Sequence, residues 1–429
     1  MSIKRYEEYE NTSVTWANKI PKHWELLPTK RAFRRKKETN AGMKVENRLA
    51  LTMKGVLKRS LDDLDGLQAS EYETYQIFQE GDLAFKLIDL QNIKTSRVGI
   101  VPEEGIMSPA YIRLEGTGRI EPKYAYWYFM KLYHECIFNE LGGGVRQTIG
   151  PEELLSLPLT YPPKSEQYLI ATFLDRETAK IDDLIAEQQR LIELLQEKRQ
   201  AVISHAVTKG LNPNASMKDS GVEWLGEVPE HWAVQKASWL FRTEKGKKAQ
   251  ELTQEYCATN EGPFPVFSGQ TKDGGVMGSI DSYEFDAGDA GAILCTTVGA
   301  KAMSIRRITG WFSLSQNCMV ISPKTEEVTP VFFEYGFQPL FKHERALIPD
   351  HMQPSFRMED FNQFWVQLPP VEEQAKISKY LQQENDVSVE LEAEISAAID
   401  LLQERRSALI SAAVTGQIDV RGQATEEEP

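Results

Sequence analysis

Leu195-Gln-Glu-Lys-Arg-Gln-Ala-Val-Ile-Ser-His-Ala-Val-Thr208 and Leu402-Gln-Glu-Arg-Arg-Ser-Ala-Leu-Ile-Ser-Ala-Ala-Val-Thr415 are two copies of one segment, 207 residues apart. Self-similarity at a fixed period is read before any other pattern. The same offset relates Tyr161-Pro-Pro163 to Leu368-Pro-Pro370, Glu166-Gln167 to Glu373-Gln374, and Gly81-Asp82 to Gly288-Asp289. An offset of 208 relates Trp16 and Pro21-Lys-His-Trp24 to Trp224 and Pro229-Glu-His-Trp232. Each half therefore runs through an opening, a variable body, a proline pair and a helical segment. Solenoid repeats have periods of roughly 20–50 residues, so each unit here has the size of a domain. Duplication of this kind predicts an internal pseudo-two-fold that offers two similar surfaces to a partner; a duplication without functional symmetry is the alternative.

Residues 165–207 contain neither glycine nor proline and are rich in Leu, Ile, Glu, Gln, Lys and Arg, a composition that predicts one continuous helix. Leu174, Ile181, Leu184, Leu191, Leu195 and Val202 lie on a seam spaced by threes and fours, interrupted by Glu177, Gln188 and Lys198. At 1.5 Å per residue the helix is roughly 65 Å long. The copy, about 371–414, places Leu381, Leu391, Ile395, Leu402 and Leu409 on the corresponding seam. An unpaired helix leaves such a stripe in water, so the two are expected to pack together and antiparallel; two core helices inside globular domains are the alternative. The proline pairs stop the preceding strand and stiffen the entry into each helix. The bodies, 1–160 and 211–367, mix strand-like runs such as Ala290 to Val298 with helical stretches such as Tyr124 to Leu141, and each reads as one α+β domain. The expected division is a body over 1–160, helix over 161–210, a body over 211–367, helix over 368–416 and an acidic tail over 417–429.

A chain of 429 residues has room for two to four domains. No apolar run approaches the roughly 18–20 residues that span a bilayer, and Met-Ser-Ile-Lys-Arg-Tyr-Glu-Glu at the start has no signal-peptide core, so the cytoplasm is expected. Cys136, Cys257, Cys295 and Cys318 form no CxxC pair and read as buried free thiols. The net charge of −14 argues against a nucleic-acid partner, but its distribution does not. Residues 1–60 hold fifteen Lys and Arg against six Asp and Glu, including Lys30, Arg31, Arg34, Arg35, Lys36 and Lys37. Much of the acidic excess falls on the helical segments and on Glu426-Glu-Glu428.

Catalytic motifs are missing. Gly142-Gly-Gly-Val-Arg-Gln-Thr148 lacks the Gly-Lys-Ser/Thr ending of a phosphate-cradling loop. Tyr161-Pro-Pro163 is similar to the Asp-Pro-Pro-Tyr of amino-methyltransferases but lacks its acidic residue, and Pro349-Asp350 with Glu359-Asp360 has no lysine to complete a nuclease set. The six histidines are not at metal-ligand spacing, and His23 and His231 read as one repeated structural contact. More informative are the loops before the proline pairs, Gly144 to Ile149 and His351 to Phe356. Arg146, Gln147 and Gln353 there, with Arg357 directly after the second loop, are the types that read base edges, although a structural turn accounts for them equally. Lys54, Lys58, Arg59, Lys86, Lys94 and Arg97 in the first body, with Gln270, Lys272, Lys301, Arg306, Gln316 and Asn317 in the second, are candidate partners for phosphate and bases.

With these features in view, the chain resembles the DNA-specificity subunit of type I restriction-modification enzymes over nearly its whole length. The resemblance is carried by Ile20-Pro-Lys-His-Trp24 and Val228-Pro-Glu-His-Trp232, by Pro-Pro followed by Glu-Gln before each helix, and by the two helix endings. Leu51 to Gly66 with Gly81 to Asp89 looks like one group of the family's target recognition domains, and Gly262 to Gly269 with Gly288-Asp289 like another. The resemblance implies two target recognition domains, each reading half of a split asymmetric site, joined by two antiparallel helices that set the gap. It also implies a non-catalytic chain without a cofactor of its own. Two modification subunits would carry S-adenosylmethionine and methylate adenine in double-stranded DNA, and restriction subunits would use ATP and Mg. A nuclease or methyltransferase with degenerate motifs and a helical adaptor that does not read DNA are the rival readings.

Overall fold

Proline separates strand from helix in both halves, because the residue before it is held extended and its own ring fits the first helical turn. Strand Pro158–Tyr161 ends at the first proline pair and Trp365–Leu368 at the second. Four helices frame the bodies: α1 (Pro122–His134), α2 (Lys164–Lys209), α3 (Pro330–Ala346) and α4 (Val371–Val414). The structure is a computed structural model that describes residues 4–61, 71–90, 96–143, 147–269, 272–349 and 351–423. Its compact units are residues 1–189 with 396–429 (unit 1) and residues 190–395 (unit 2), so each unit combines one body with part of both long helices. Among the described residues no helix is long and apolar enough to cross a membrane.

The diverged bodies share one strand order. Unit 1 has β1 (Phe33–Arg35), β2 (Arg48–Thr52), β3 (Gly55–Arg59), β4 (Gln76–Phe78), β5 (Leu83–Phe85), β6 (Val98–Ile100), β7 (Gly105–Met107) and β8 (Ile112–Gly116). They form two four-stranded sheets, β1-β8-β5-β6 and β3-β2-β7-β4, in which only β2 and β7 run parallel. Unit 2 has β9 (Phe241–Glu244), β10 (Glu261–Phe267), β11 (Val276–Ile280), β12 (Phe285–Asp286), β13 (Ala292–Thr296), β14 (Ile305–Ile308), β15 (Trp311–Leu314) and β16 (Cys318–Pro323). Its sheets are β9-β16-β13-β14 and β11-β10-β15-β12, with β10 and β15 parallel. Strand for strand the order is the same.

In unit 1, α1 buries Tyr124, Tyr128, Phe129 and Leu132 against Phe33, Phe85 and Leu114. In unit 2, α3 buries Phe332, Phe333, Phe337 and Phe341 against Phe241, Phe356 and Phe361, whose rings meet edge to face at centroid separations such as 4.8 Å for Phe241 and Phe333. The stretch expected as one helix from Tyr124 to Leu141 is broken at Cys136, where φ is +58°, and resumes over Ile137–Leu141. Cys136 is exposed there; the other three cysteines are buried, and all four are free thiols.

The repeated motifs meet at one junction in each unit. The Glu166 carboxylate, at the start of α2, accepts from Tyr6 Oη at 3.0 Å and Trp24 Nε1 at 3.0 Å and is hydrogen-bonded to His23 Nε2 at 2.8 Å. Glu373, at the start of α4, takes Trp232 Nε1 at 3.1 Å and His231 Nε2 at 2.8 Å. The neighbouring glutamine ties the proline pair to the body. Gln167 donates to the Pro162 carbonyl and accepts from the Glu121 N–H at the head of α1, while Gln374 does the same with Pro369 and Thr329 at the head of α3.

The far ends of the helices close the same junctions. Ile410, Ala413 and Val414 of α4 enter the core of unit 1, and Ile203, Ala206 and Val207 of α2 enter that of unit 2. Gly416 and Gly210 follow them at φ +70° and +74°, the left-handed cap that glycine adopts freely. A Cβ at Gly416 would lie 2.3 Å from Pro21 and 3.1 Å from Trp24, and one at Gly210 would lie 3.3 Å from Trp232. Each tryptophan thus touches the start of one long helix and the end of the other, so within each unit the two segments run in opposite directions.

Between these anchors the seam differs from the sequence expectation. Ile185, Gln188, Ile192, Leu195, Arg199 and Val202 are half-buried on α2, and Leu381, Asn385, Ser388, Glu392, Ile395, Ile399 and Leu402 are buried or half-buried on α4, both with alternating spacings of three and four. Leu184, Leu191 and Leu391, expected on the seam, are 44%, 43% and 39% exposed. The adjacent pairs Leu184-Ile185 and Leu191-Ile192 permit two registers. The seam takes the later one, in step with Ile181, which is buried.

Replacing Glu166 by alanine leaves the buried Trp24 and Tyr6 donors without an acceptor, at a cost of about 3 kcal/mol, whereas Glu373→Ala, at a side chain 26% exposed, costs about 1 kcal/mol. Denaturant unfolding of the full chain checks this, with the larger loss expected for E166A.

Candidate nucleic-acid interface

The two loops before the proline pairs are fastened alike. In unit 1 the Ile149 side chain is buried, its N–H donates to the Leu87 carbonyl at 3.0 Å, and Thr148 and Gly143 exchange backbone hydrogen bonds. In unit 2 Phe356 is buried, its N–H donates to Thr297 O at 2.7 Å, and Gly299 N–H donates to Pro354 O at 3.0 Å. Leu87 and Thr297 follow β5 and β13, the same strand of the shared order. The apolar anchor holds each loop in place while its polar neighbours stay accessible.

In unit 2 the fastening gathers several candidates. Gln353 and Lys301 are exposed on the two joined loops, and Gln316 and Asn317 are exposed between β15 and β16. Asn317 O accepts from the Thr297 N–H at 2.9 Å, which links this third loop to the other two. Gln316 and Asn317 also line a cleft of about 420 Å³ with Thr253, Gln254, Ser268, Gly269 and Val298. A side chain at Gly269 would crowd Thr296 and Asn317. Arg357 is exposed at the head of the short helix Met358–Gln363. Arg306 is half-buried with its guanidinium 4.7 Å from the centre of the Phe267 ring, and burial lowers its pKa. Lys272 lies in the turn Lys272–Gly275; Gln270 lies outside the described residues.

In unit 1 the candidates are dispersed. Lys54, Lys58 and Arg59 lie on the β2–β3 hairpin, Lys54 and Lys58 exposed and Arg59 half-buried. Lys86 is half-buried, and burial, with Arg97 adding to it, lowers its pKa. Gln147 is half-buried at φ +42°. Lys94 and Arg146 lie outside the described residues. Arg97 departs from the surface role expected of it: it is 1% exposed, and its guanidinium donates to the carbonyls of Ile88 at 3.2 Å and Asp89 at 2.9 Å. It braces the loop that carries Lys86 instead of facing solvent.

Thr253, Gln254 and Ser268 had no distinguishing signal in the sequence beyond Thr253 heading the helix Gln254–Thr259, where its hydroxyl caps the Tyr256 N–H. Gly81-Asp82 and Gly288-Asp289, matched in sequence, keep a positive φ at both glycines but not the role of the aspartate. Asp82 is buried and accepts from Arg113 Nε at 2.6 Å, whereas Asp289 is exposed.

The family profile described as "Type I restriction modification DNA specificity domain" matches residues 31–194 and again 229–401. A Mycoplasma pneumoniae protein named a type I specificity subunit is 28% identical over 152 residues, 35% of this chain and 39% of that protein. The specificity subunit of the type I restriction enzyme MjaVIII from Methanocaldococcus jannaschii is 26% identical over 145 residues, 34% of this chain and 32% of that one. The chain thus spans well under half the length of these two relatives. Its fold is similar to a solved chain from work on complex assembly and conformational transition of the type I R-M system, with a TM-score of 0.69 at 13% identity over 92% of this chain and 98% of the other. It is also similar to the HsdS subunit from Thermoanaerobacter tengcongensis, with a TM-score of 0.50 at 12% identity over 93% and 98% of the two chains.

Arg97→Ala, which removes a buried side chain and its bonds to the Ile88 and Asp89 carbonyls, is expected to cost about 2 kcal/mol, and Gln316→Ala and Gln353→Ala, at exposed positions, less than about 0.5 kcal/mol. Parallel urea titrations of the three variants measure the contrast.

Proposed function

The chain belongs to the type I restriction-modification DNA-specificity family, and from that premise we propose that it directs such a system to a bipartite, asymmetric DNA site. The observation that carries the proposal is the shared strand order with the loop before each proline pair fastened to the same strand end, but furnished with different side chains. One scaffold bearing two different surfaces suits two different half-sites. Gln316, Asn317, Lys301, Gln353 and Arg357 are the proposed contacts of unit 2, and Lys54, Lys58, Arg59, Lys86 and Gln147 those of unit 1. Arg and Gln fit base edges, and Lys fits phosphate.

Each half-site is short, and two readers held at one separation combine their discrimination. We assign the separation to α2 and α4, each of which begins in one unit and ends in the other. Docking of two modification subunits is supported by the apolar side chains that the seam leaves out, Leu184, Leu191 and Leu194 on α2 with Val387, Val389, Leu391 and Leu401 on α4. In this proposal the chain itself is non-catalytic and works in the cytoplasm. Methyl transfer, ATP hydrolysis and cleavage fall to partner subunits.

The deciding experiment is long-read methylation mapping in a methylation-free host that expresses the chain with its modification subunit, against the modification subunit alone. A bipartite adenine-methylated motif that depends on the chain is expected; methylation indifferent to it would exclude the role. Matched insertion of one heptad into α2 and α4 lengthens each by about 10 Å, which should widen the gap in that motif by about three base pairs while leaving both half-sites unchanged.

A further inference from the structure

The basic run Arg34-Arg35-Lys36-Lys37 is divided by strand alternation into two pairs with different surroundings. β1 pairs with β8 so that Arg34 lies opposite Glu115, and the pairing continues through the Lys36 N–H to Arg113 O. Arg34 and Lys36 both bond to the Glu115 carboxylate, Lys36 at 2.8 Å. These two bonds, Lys36 first and then Arg34, hold the Glu115 carboxyl below the usual carboxylate range. One half of the run is thereby committed to an internal ion pair.

Arg35 and Lys37 belong to the other face. Both are exposed, neither has a partner among the described residues, and together they line a cleft of about 210 Å³. Gln76, Tyr111, Arg113 and Thr148 are among the rest of the lining, which includes no aspartate or glutamate. Arg113 is fully buried, with Nε on Asp82 and Nη1 on the Ile77 carbonyl, and its Nη2 has no hydrogen-bond partner. Asp82 and Glu38, which lies 3.7 Å from Nη1, balance Arg113 from outside the lining. Arg35 and Lys37 remain as unneutralised charge.

We propose that this cleft seats a phosphate group of the DNA backbone, with Arg35 and Lys37 as its ligands, and so positions the Gln147–Thr148 loop on the bases beside it. The inference rests on the DNA-reading function proposed above and adds a built backbone anchor to it. Thr148 lines the cleft and Gln147 adjoins it, so a phosphate held there brings the neighbouring bases to the loop, and contacts of this kind set register without carrying sequence information. Unit 2 differs in this respect. Its basic cleft, about 400 Å³, sets Arg242, Lys245 and Lys247 against Glu244, Glu284 and Asp286, so the cations there are matched by carboxylates.

The test uses the complex with the modification subunit and measures binding to a duplex of unrelated sequence across a salt series. R35A/K37A is expected to flatten the slope of log K against log salt by about 0.9, one phosphate contact's worth, and to lower methylation without changing the methylated motif. R35K/K37R keeps the charges and should retain the wild-type slope, and R34A/K36A should change the slope by less than half as much as R35A/K37A. A salt-dependent wild type whose slope is unchanged in R35A/K37A overturns the cleft assignment and leaves the proposed function standing. A wild-type complex that binds DNA without salt dependence overturns both.

Discussion

A carboxylate at the first turn of each long helix is the contact on which each unit depends. Glu166 is 6% exposed and is held by Tyr6, His23 and Trp24, all from the opening of the chain, some 140 residues earlier in sequence. A carboxylate so deeply placed is tolerable only with several donors around it, and two of these, Tyr6 and Trp24, are buried in turn. The same tryptophan then receives the glycine cap of the other helix. Opening, proline pair, helix start and helix end are thus mutually dependent, and these are the segments that match best between the halves.

The constraint on the bodies is different. Their strand order is identical, but the side chains that realise it are not: tyrosine and tryptophan fill much of unit 1 around α1, and phenylalanine fills unit 2 around α3. A core needs volume and apolar character more than particular residues, so divergence in the interior is tolerated where the frame is kept. The loops that project from that frame are freer still. Their anchors, Ile149 and Phe356, are apolar and buried in both units, while the polar residues between anchors share little. That separation of anchor from surface allows one fold to carry two different surfaces.

Electrostatics reconcile an acidic chain with the polyanionic partner proposed for it. The negative total is a property of composition, whereas a phosphate responds to the few charges near it and to whether they are already neutralised. In unit 1 the run Arg34 to Lys37 is half occupied by Glu115, and only its alternate residues face an open cleft without carboxylates in its lining. Counting basic residues along the chain does not separate these two halves. The pairing of β1 with β8 does.

The sequence alone determined the repeat, the mixed α and β bodies, the continuous long helices and the family, because these rest on periodicity, on proline and glycine at fixed offsets, and on residues whose spacing survives divergence. It also placed His23 and His231 as one repeated contact, although not the glutamates they meet. Only the tertiary structure decided which arginine braces a loop and which faces water: Arg97 is 1% exposed, whereas Arg35 is exposed. It also decided the register of the helical seam, since Leu184-Ile185 and Leu191-Ile192 satisfy either choice locally. Burial and partner are properties of what the rest of the chain brings alongside a residue, and a linear pattern records them only where one period dominates.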